Sequence, residues 1–290
     1  MSVKHPIISI TGSSGAGTTS VKKTFEQIFR RESVNAVYVE GDSFHKYDRM
    51  EMRTKMAEEA KLGNKHFSHF SPETNLLEKL EATFKSYSET GNGDIRYYIH
   101  DSVDEEAHGY KAGTFTPWKS IPEKTDLLFY EGLHGAVVTG DINVARYADL
   151  KIGVVPVINL EWIQKLHRDR STRGYSTEAV TDTILRRMPD YVNYIVPQFT
   201  QTDINFQRVP TVDTSNPFVA RWIPTPDESM VVIRFRSPRG IDFPYLLSMI
   251  PGSFMSRANS IVIHGAKLDL AMQLILTPMI MQLIDRKRRA

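Results

Sequence analysis

No stretch of this chain constrains its fold more than residues 12–19, Gly-Ser-Ser-Gly-Ala-Gly-Thr-Thr. Gly12 and Gly17 have four residues between them, and Thr19 follows two positions later, the spacing of a phosphate-binding loop. The flanks agree. Ile7-Ile8-Ser9-Ile10 reads as a short buried parallel strand entering Gly12, and Val21, Phe25, Ile28 and Phe29 recur at helical spacing after Thr19. Strand, glycine loop and helix turn the backbone N–H groups of residues 12–18 and the helix N-terminus toward a phosphate chain, with Thr19 as a magnesium ligand. An ordinary glycine-rich turn is the bland alternative, and the flanks disfavour it. One position departs from the pattern: Thr18 occupies the place of the usual lysine. A cation for the outer phosphates then has to come from elsewhere in the chain.

The order of elements predicts an α/β fold, the three-layer sandwich of P-loop NTPases with a mainly parallel sheet covered on both faces. Ala36–Glu40, Leu127–Tyr130 and Leu150–Val155 read as strands, with a short one at Arg96–Ile99. Helices are expected over 49–62, over 72–87 and from Asn159 to Arg170. Strands at Val231–Phe235 and Ile261–Ile263 and a long helix form a C-terminal extension of one P-loop kinase domain, 1–290, since no linker divides the chain. Gly12, Asp42, His100-Asp101 and Glu131 all fall just past expected strand ends, the rim where such sheets bind ligands.

Composition narrows the function classes. A formal charge of +2 gives no argument for nucleic acid. With no cysteine, thiol catalysis and disulfide switching are excluded. Met1–Pro6 runs straight into the first strand without a signal-peptide core, so a cytoplasmic location is expected. Leu268–Ile284 is apolar nearly all round but short for a membrane span and interrupted by Asp269, Gln273, Pro278 and Gln282. A buried or subunit-facing helix is the expectation, with no membrane partner.

Three groups of residues carry candidate chemistry. Leu127–Glu131 has the form of a Walker B strand, whose Glu131 would hold magnesium; a solvated strand-end glutamate is the alternative. Asp42, in Glu40-Gly41-Asp42-Ser43-Phe44-His45, could accept the proton of an attacking hydroxyl or equally cap a turn. Lys165, His167, Arg168, Arg170 and Arg173 crowd a nine-residue run that ends at Gly174. This is either a solvated helix face or a basic lid that closes on the nucleotide, with Lys165 replacing the lysine missing at Thr18.

Residues 12–18, 40–45, Tyr130-Glu131-Gly132-Leu133-His134-Gly135 and His167-Arg168-Asp169 resemble the bacterial-type phosphoribulokinases, within the P-loop uridine kinase and phosphoribulokinase family. The similarity runs over essentially the whole chain, and the lysine-less loop with Phe44-His45 separates it from uridine-kinase-like relatives. It implies transfer of the γ-phosphate of ATP to O1 of ribulose 5-phosphate in the Calvin cycle, with Mg2+. It also implies Asp42 as base, Asp169 as a second essential carboxylate and Lys165 as the lid lysine. His45, Arg49, Arg168 and Arg173 would bind sugar phosphate. A homo-oligomer, octameric in the relatives, is implied too, activated by NADH and inhibited by AMP through Arg31, Arg234 and Arg257. Two other readings compete: a kinase of this fold for another acceptor such as uridine or pantothenate, and a non-catalytic nucleotide-dependent regulator. The latter would need neither an acceptor base nor a basic lid.

Overall fold

The structure, a computed structural model, describes residues 4–13 and 18–290, and within these the side chains of all but residues 18–20, 172 and 173. Eight strands, β1 (Ile7–Thr11), β2 (Ala36–Glu40), β3 (Leu127–Gly132), β4 (Leu150–Val155), β5 (Ile204–Pro210), β6 (Ser229–Phe235), β7 (Phe254–Arg257) and β8 (Ser260–His264), make one sheet. Its order is β7-β8-β6-β5-β4-β1-β3-β2. The five strands from β2 to β5 pair in parallel, and β6, β8 and β7 add an antiparallel margin. The expected C-terminal strands therefore continue the same sheet. Among the described residues eight α-helices accompany it: α1 (Thr18–Arg31), α2 (Arg49–Lys61), α3 (Leu77–Thr90), α4 (Ser102–His108), α5 (Ile158–Arg173), α6 (Thr177–Asp190), α7 (Phe243–Met249) and α8 (Leu268–Arg289).

Strand alternation divides the core into two layers. Ile8, Ile10, Leu127, Phe129 and Ile152 face α1 and α8, where Phe25, Ile28, Ile275 and Ile280 are fully or nearly buried. Ile7, Leu128, Tyr130, Val37 and Val39 face α3 through Leu77, Leu80, Phe84 and Tyr87. A strand buried on both faces is mostly apolar, which is why Leu127–Tyr130 reads as a continuous run and Ile7–Ile10 as one broken only by Ser9, whose hydroxyl donates to the Gly135 carbonyl. Although α8 has the length and composition of a membrane span, it is a core helix here. Ala271, Met272, Ile275, Leu276, Ile280, Leu283 and Ile284 are buried, and the helix packs on α1.

Two expected elements are redrawn. Residues 72–87 do not form one helix: a 3₁₀ turn at Pro72–Thr74 gives way to extended Asn75, and α3 starts at Leu77. Asn75 forms an isolated bridge with His45, and its side-chain amide donates to the carbonyls of His69 and Ser71, so local pairing wins over helix continuation. Arg96–Ile99 is not a strand of the sheet. The pairing there is Asp94–Ile95 against Lys119–Ser120, a two-stranded ribbon, with Tyr98 bridging Phe115. His100-Asp101 thus follows this ribbon segment, where Asp101 caps α4, and does not follow a strand of the main sheet.

Candidate active site

The carboxyl ends of β1, β2 and β3 are pressed together by glycine. A Cβ on Gly132 would lie 2.6 Å from Gly41 Cα, and one on Gly41 would lie 2.6 Å from Tyr130 Oη. Gly12 N–H donates to the Gly132 carbonyl at 3.2 Å, which fixes the start of the phosphate loop to the end of β3. Ser13, fully buried, donates its hydroxyl to Glu161 on α5. Ser14, Gly15, Ala16 and Gly17 lie outside the described residues, as do the side chains of Thr18, Thr19 and Arg173.

In register, Glu131 stands between Ile10 and Glu40, on the side of the sheet that α1 covers. Glu40 pairs with Lys22 at 2.8 Å and with His100 at 3.7 Å. The hydrogen bond to His100, then that to Lys22, holds its carboxyl down at about 2. Lys22, one turn into α1, also feels the charge of Glu131. A carboxylate at a strand end, beside the first turns of the helix that follows a glycine loop, is the hard oxygen donor that Mg2+ with a nucleotide triphosphate requires. Glu131 and the N-terminus of α1 fit that group.

Past its carboxyl end, β2 runs into a 3₁₀ turn, Gly41–Phe44, that presents Asp42 half-exposed. His45 is buried, its Nε2 3.6 Å from Asp42 Oδ1, and its ring stacks on His69 at 4.3 Å. Burial, reinforced by His134 and Arg187, drives His45 down to about 3, and His69 falls to about 3 for the same primary reason. At neutral pH His45 therefore offers a hydrogen bond and no charge. The turn is held from below by Arg96, which donates to the carbonyls of Ser43 at 2.7 Å and His45 at 2.6 Å while lying 3.7 Å from the centre of the Phe115 ring. Arg49 opens α2 behind an Asp48 capping box and donates to the His100 carbonyl at 2.8 Å. His100 pairs in turn with Glu40, so Arg49 stands near the end of β2.

The basic run forms the body of α5, and its inner face is not solvated. Lys165 and Asp169 are buried and joined at 2.9 Å, one helical turn apart. Arg168 Nε donates to the other oxygen of Asp169 at 2.9 Å, whereas Arg170 is exposed. Burial, then the field of Arg187, lowers the Lys165 ammonium to about 8 against the pull of Asp169. Two basic partners keep Asp169 below its usual range even though it is buried. Gly174 ends the helix with φ 67°, a left-handed cap open to glycine at no steric cost. Glu161, Lys165 and Arg187 share a cavity of about 30 Å³, walled by Phe70, Trp162 and Tyr191, with room for about one water.

Several site residues leave little trace in sequence. Arg187 lies on α6, a helix absent from the sequence reading, and sits 5.0 Å over the Phe70 ring. Its charge reaches His45, His69, Glu161 and Lys165, so it faces both halves of the site. Gln198 accepts from Thr11 Oγ1 and Ala136 N–H and donates to the Leu133 carbonyl, joining β1 to the loop after β3. The apolar walls of these residues depend on tertiary pairing, which no local pattern announces. Of the three arginines that the resemblance assigns to an effector site, Arg31 is anchored to α8 through Gln273 at 2.7 Å and Thr277 at 2.9 Å. Arg234 and Arg257 are exposed on the opposite margin, each in register with Ser260 from either side.

Known proteins resemble this chain in sequence and in fold. The profile of the Phosphoribulokinase / Uridine kinase family matches residues 7–215. A phosphoribulokinase of Nitrobacter vulgaris is 79% identical over 287 residues, covering 99% of both chains. That of Xanthobacter flavus is 74% identical over 290 residues and the full length of each. Among solved structures, a phosphoribulokinase from Rhodobacter spheroides, 63% identical, superposes with a TM-score of 0.91 over 99% of this chain and 100% of its own.

Proposed function

The chain belongs to the phosphoribulokinase and uridine kinase family, and from that premise we propose that it transfers the γ-phosphoryl group of ATP to O1 of D-ribulose 5-phosphate. The product would be ribulose 1,5-bisphosphate, made in the cytoplasm for the Calvin cycle. The observation that carries this reading is full-length identity of 63–79% with proteins named phosphoribulokinase, reaching both halves of the site.

Asp42 stands past the end of β2, half-exposed and held by Arg96 through its turn, and takes the O1 proton as the oxygen attacks. Glu131 and Thr19 would hold Mg2+, which when bound would supply positive charge against that developing on the transferred phosphate. Lys165 supplies the positive charge that position 18 lacks, and Asp169 keeps that ammonium oriented on α5. Arg168, Arg173 and Arg49 would take the sugar phosphate dianion by forked hydrogen bonds, with neutral His45 adding one more. Backbone N–H groups of Gly12, Ser13, Ser14, Gly15, Ala16, Gly17 and Thr18 would cradle the phosphates.

A regulatory layer follows from the same reading: NADH activates and AMP inhibits at Arg31, Arg234 and Arg257 in an octamer. The exposure of all three arginines supports it. A coupled ADP-release assay over a panel of acceptors, with and without NADH, tests the proposal. Release should depend on ribulose 5-phosphate and increase with NADH. Equal or better turnover of uridine or pantothenate would overturn the acceptor assignment.

A further inference from the structure

Three residues repeat at one-turn spacing on α5: Glu161, Lys165 and Asp169. Such a ladder puts all three on one face of the helix. Asp169 pairs with Lys165, while Glu161 faces the other way along the helix and accepts the hydrogen bond of Ser13, the first residue after Gly12. Ser13 is 1% exposed, so this bond is shielded from water and is its hydroxyl's link to the rest of the protein. Glu161 also borders the cavity shared with Lys165 and Arg187.

Where a phosphate loop carries its own lysine, the separation between loop and ammonium is set by the chain itself. Here the two belong to different elements, more than 150 residues apart in sequence. Something non-covalent has to set that separation, because a misplacement of about 1 Å costs on the order of 10²-fold in rate. We propose that Glu161 is a positioning residue: its bond to Ser13 fixes the first turn of α5 to the phosphate loop and thereby sets where Lys165 stands relative to the transferred group. The inference rests on the reading that Lys165 supplies the missing charge. Burial raises the Glu161 carboxyl, and the fields of Lys165, Arg187 and Arg168 oppose that rise, which ties its charge state to the same cluster.

The test compares Glu161→Ala, Glu161→Gln and Ser13→Ala, alone and in pairs, in the full-length protein. In nucleotide-free thermal unfolding, the Ser13→Ala/Glu161→Ala double variant should lose no more stability than the worse single variant, the signature of one shared interaction. Glu161→Ala should lower kcat about 10- to 100-fold while ATP affinity by equilibrium binding moves less than about threefold. Glu161→Gln, which keeps the acceptor oxygen, should recover most of that loss. The decisive arm is the Lys165→Met background, where Glu161→Ala should cost no further turnover. An undiminished loss in that background, or additive unfolding penalties for Ser13 and Glu161, overturns the inference. If Lys165→Met itself leaves turnover intact, the reading of Lys165 fails instead, and the unfolding cycle still reports whether Glu161 holds Ser13.

Discussion

The buried ammonium of Lys165 gives the proposed mechanism a pH signature. Its free-solution value near 10.5 is lowered to about 8. That difference corresponds to about 3 kcal/mol by which burial and Arg187 outweigh the attraction of Asp169. Only the ammonium form can stabilise the transferring phosphoryl group. The kcat/KM for ATP should therefore decline with a one-proton slope as pH rises through about 8, the value for free enzyme. Bound phosphates favour the charged form, so the corresponding limb of kcat should lie higher. Asp169→Asn removes a charge-assisted hydrogen bond worth roughly 1.5–3 kcal/mol, so the limb should move down by about one to two pH units. Lys165→Arg should abolish the limb below about pH 10, because a guanidinium stays charged, at some cost in rate from its different shape. Stability carries the same signature with a definite sign. The folded state binds fewer protons than the unfolded one between about 8 and 10.5, so the Lys165 penalty is full below that window and is relieved as pH rises through it. Full kcat/KM maintained to about pH 9.5, or a limb unmoved in Lys165→Arg, would refute the reasoning.

Asp42→Asn should retain ATP binding and lower turnover by about 10²- to 10⁴-fold, read as kcat against a nucleotide titration; near-normal turnover removes Asp42 as base. Gly132→Ala would drive a Cβ to 2.6 Å from Gly41 Cα, and backbone cannot yield as a side-chain tip can. A loss of about 1–3 kcal/mol in chemical denaturation, together with reduced turnover through displaced Asp42, is expected. Glu40→Gln tests the Lys22–Glu40–His100 network: with its carboxyl held at about 2, Glu40 contributes stability above its usual 4.5, and the contribution is lost as pH falls toward 2. Its side chain is 32% exposed, so a difference of about 1–2 kcal/mol at pH 7, vanishing in acid, is the measurable outcome.

What could be read from the sequence followed local physics. Ile7–Ile10 is apolar but for the buried Ser9, and Leu127–Tyr130 is apolar throughout, because both lie in the middle of the sheet, so their identity and almost their limits were legible. Asp42 and Glu131 stand near the ends of two neighbouring strands, Asp42 in the turn after β2 and Glu131 next to last in β3 rather than past its end, so their positions could be read from the apolar runs before them. In β5 only Ile204 and Phe206 are buried, and Asn205, Gln207 and Arg208 mask the strand, so no strand was expected there. In α6, Pro189 and the charged stretch around Arg186 hid a helix whose inward face is set by Val180 and Ile184. Arg96, His69 and Arg187 were illegible for a deeper reason. Their roles depend on what packs above and below them, Phe115, His45 and Phe70 respectively, across separations that no sequence period spans.

A displaced lysine brings a problem that a loop lysine does not have. Attached to the glycine loop, an ammonium sits near backbone N–H groups and waits, partly hydrated, for phosphate. On α5 it lies in a largely apolar wall between Phe70, Trp162 and Tyr191, where an unpaired cation would be costly. Asp169 solves that problem in this conformation, and Arg168 secures Asp169 in turn through its second oxygen. A dianionic phosphate then competes with a carboxylate that is already satisfied by Arg168, so Lys165 can change partner without leaving Asp169 as an unpaired buried charge. This would give Arg168 a duty beyond the sugar-phosphate contact proposed for it. Arg168→Ala should weaken sugar-phosphate binding and also raise the cost of releasing Lys165, lowering kcat as well as increasing KM. Arg168→Lys should restore more kcat than KM, because a lysine can still satisfy Asp169 but cannot grip a phosphate with a fork. An effect confined to KM in both variants would show that the Asp169 contact plays no part in turnover.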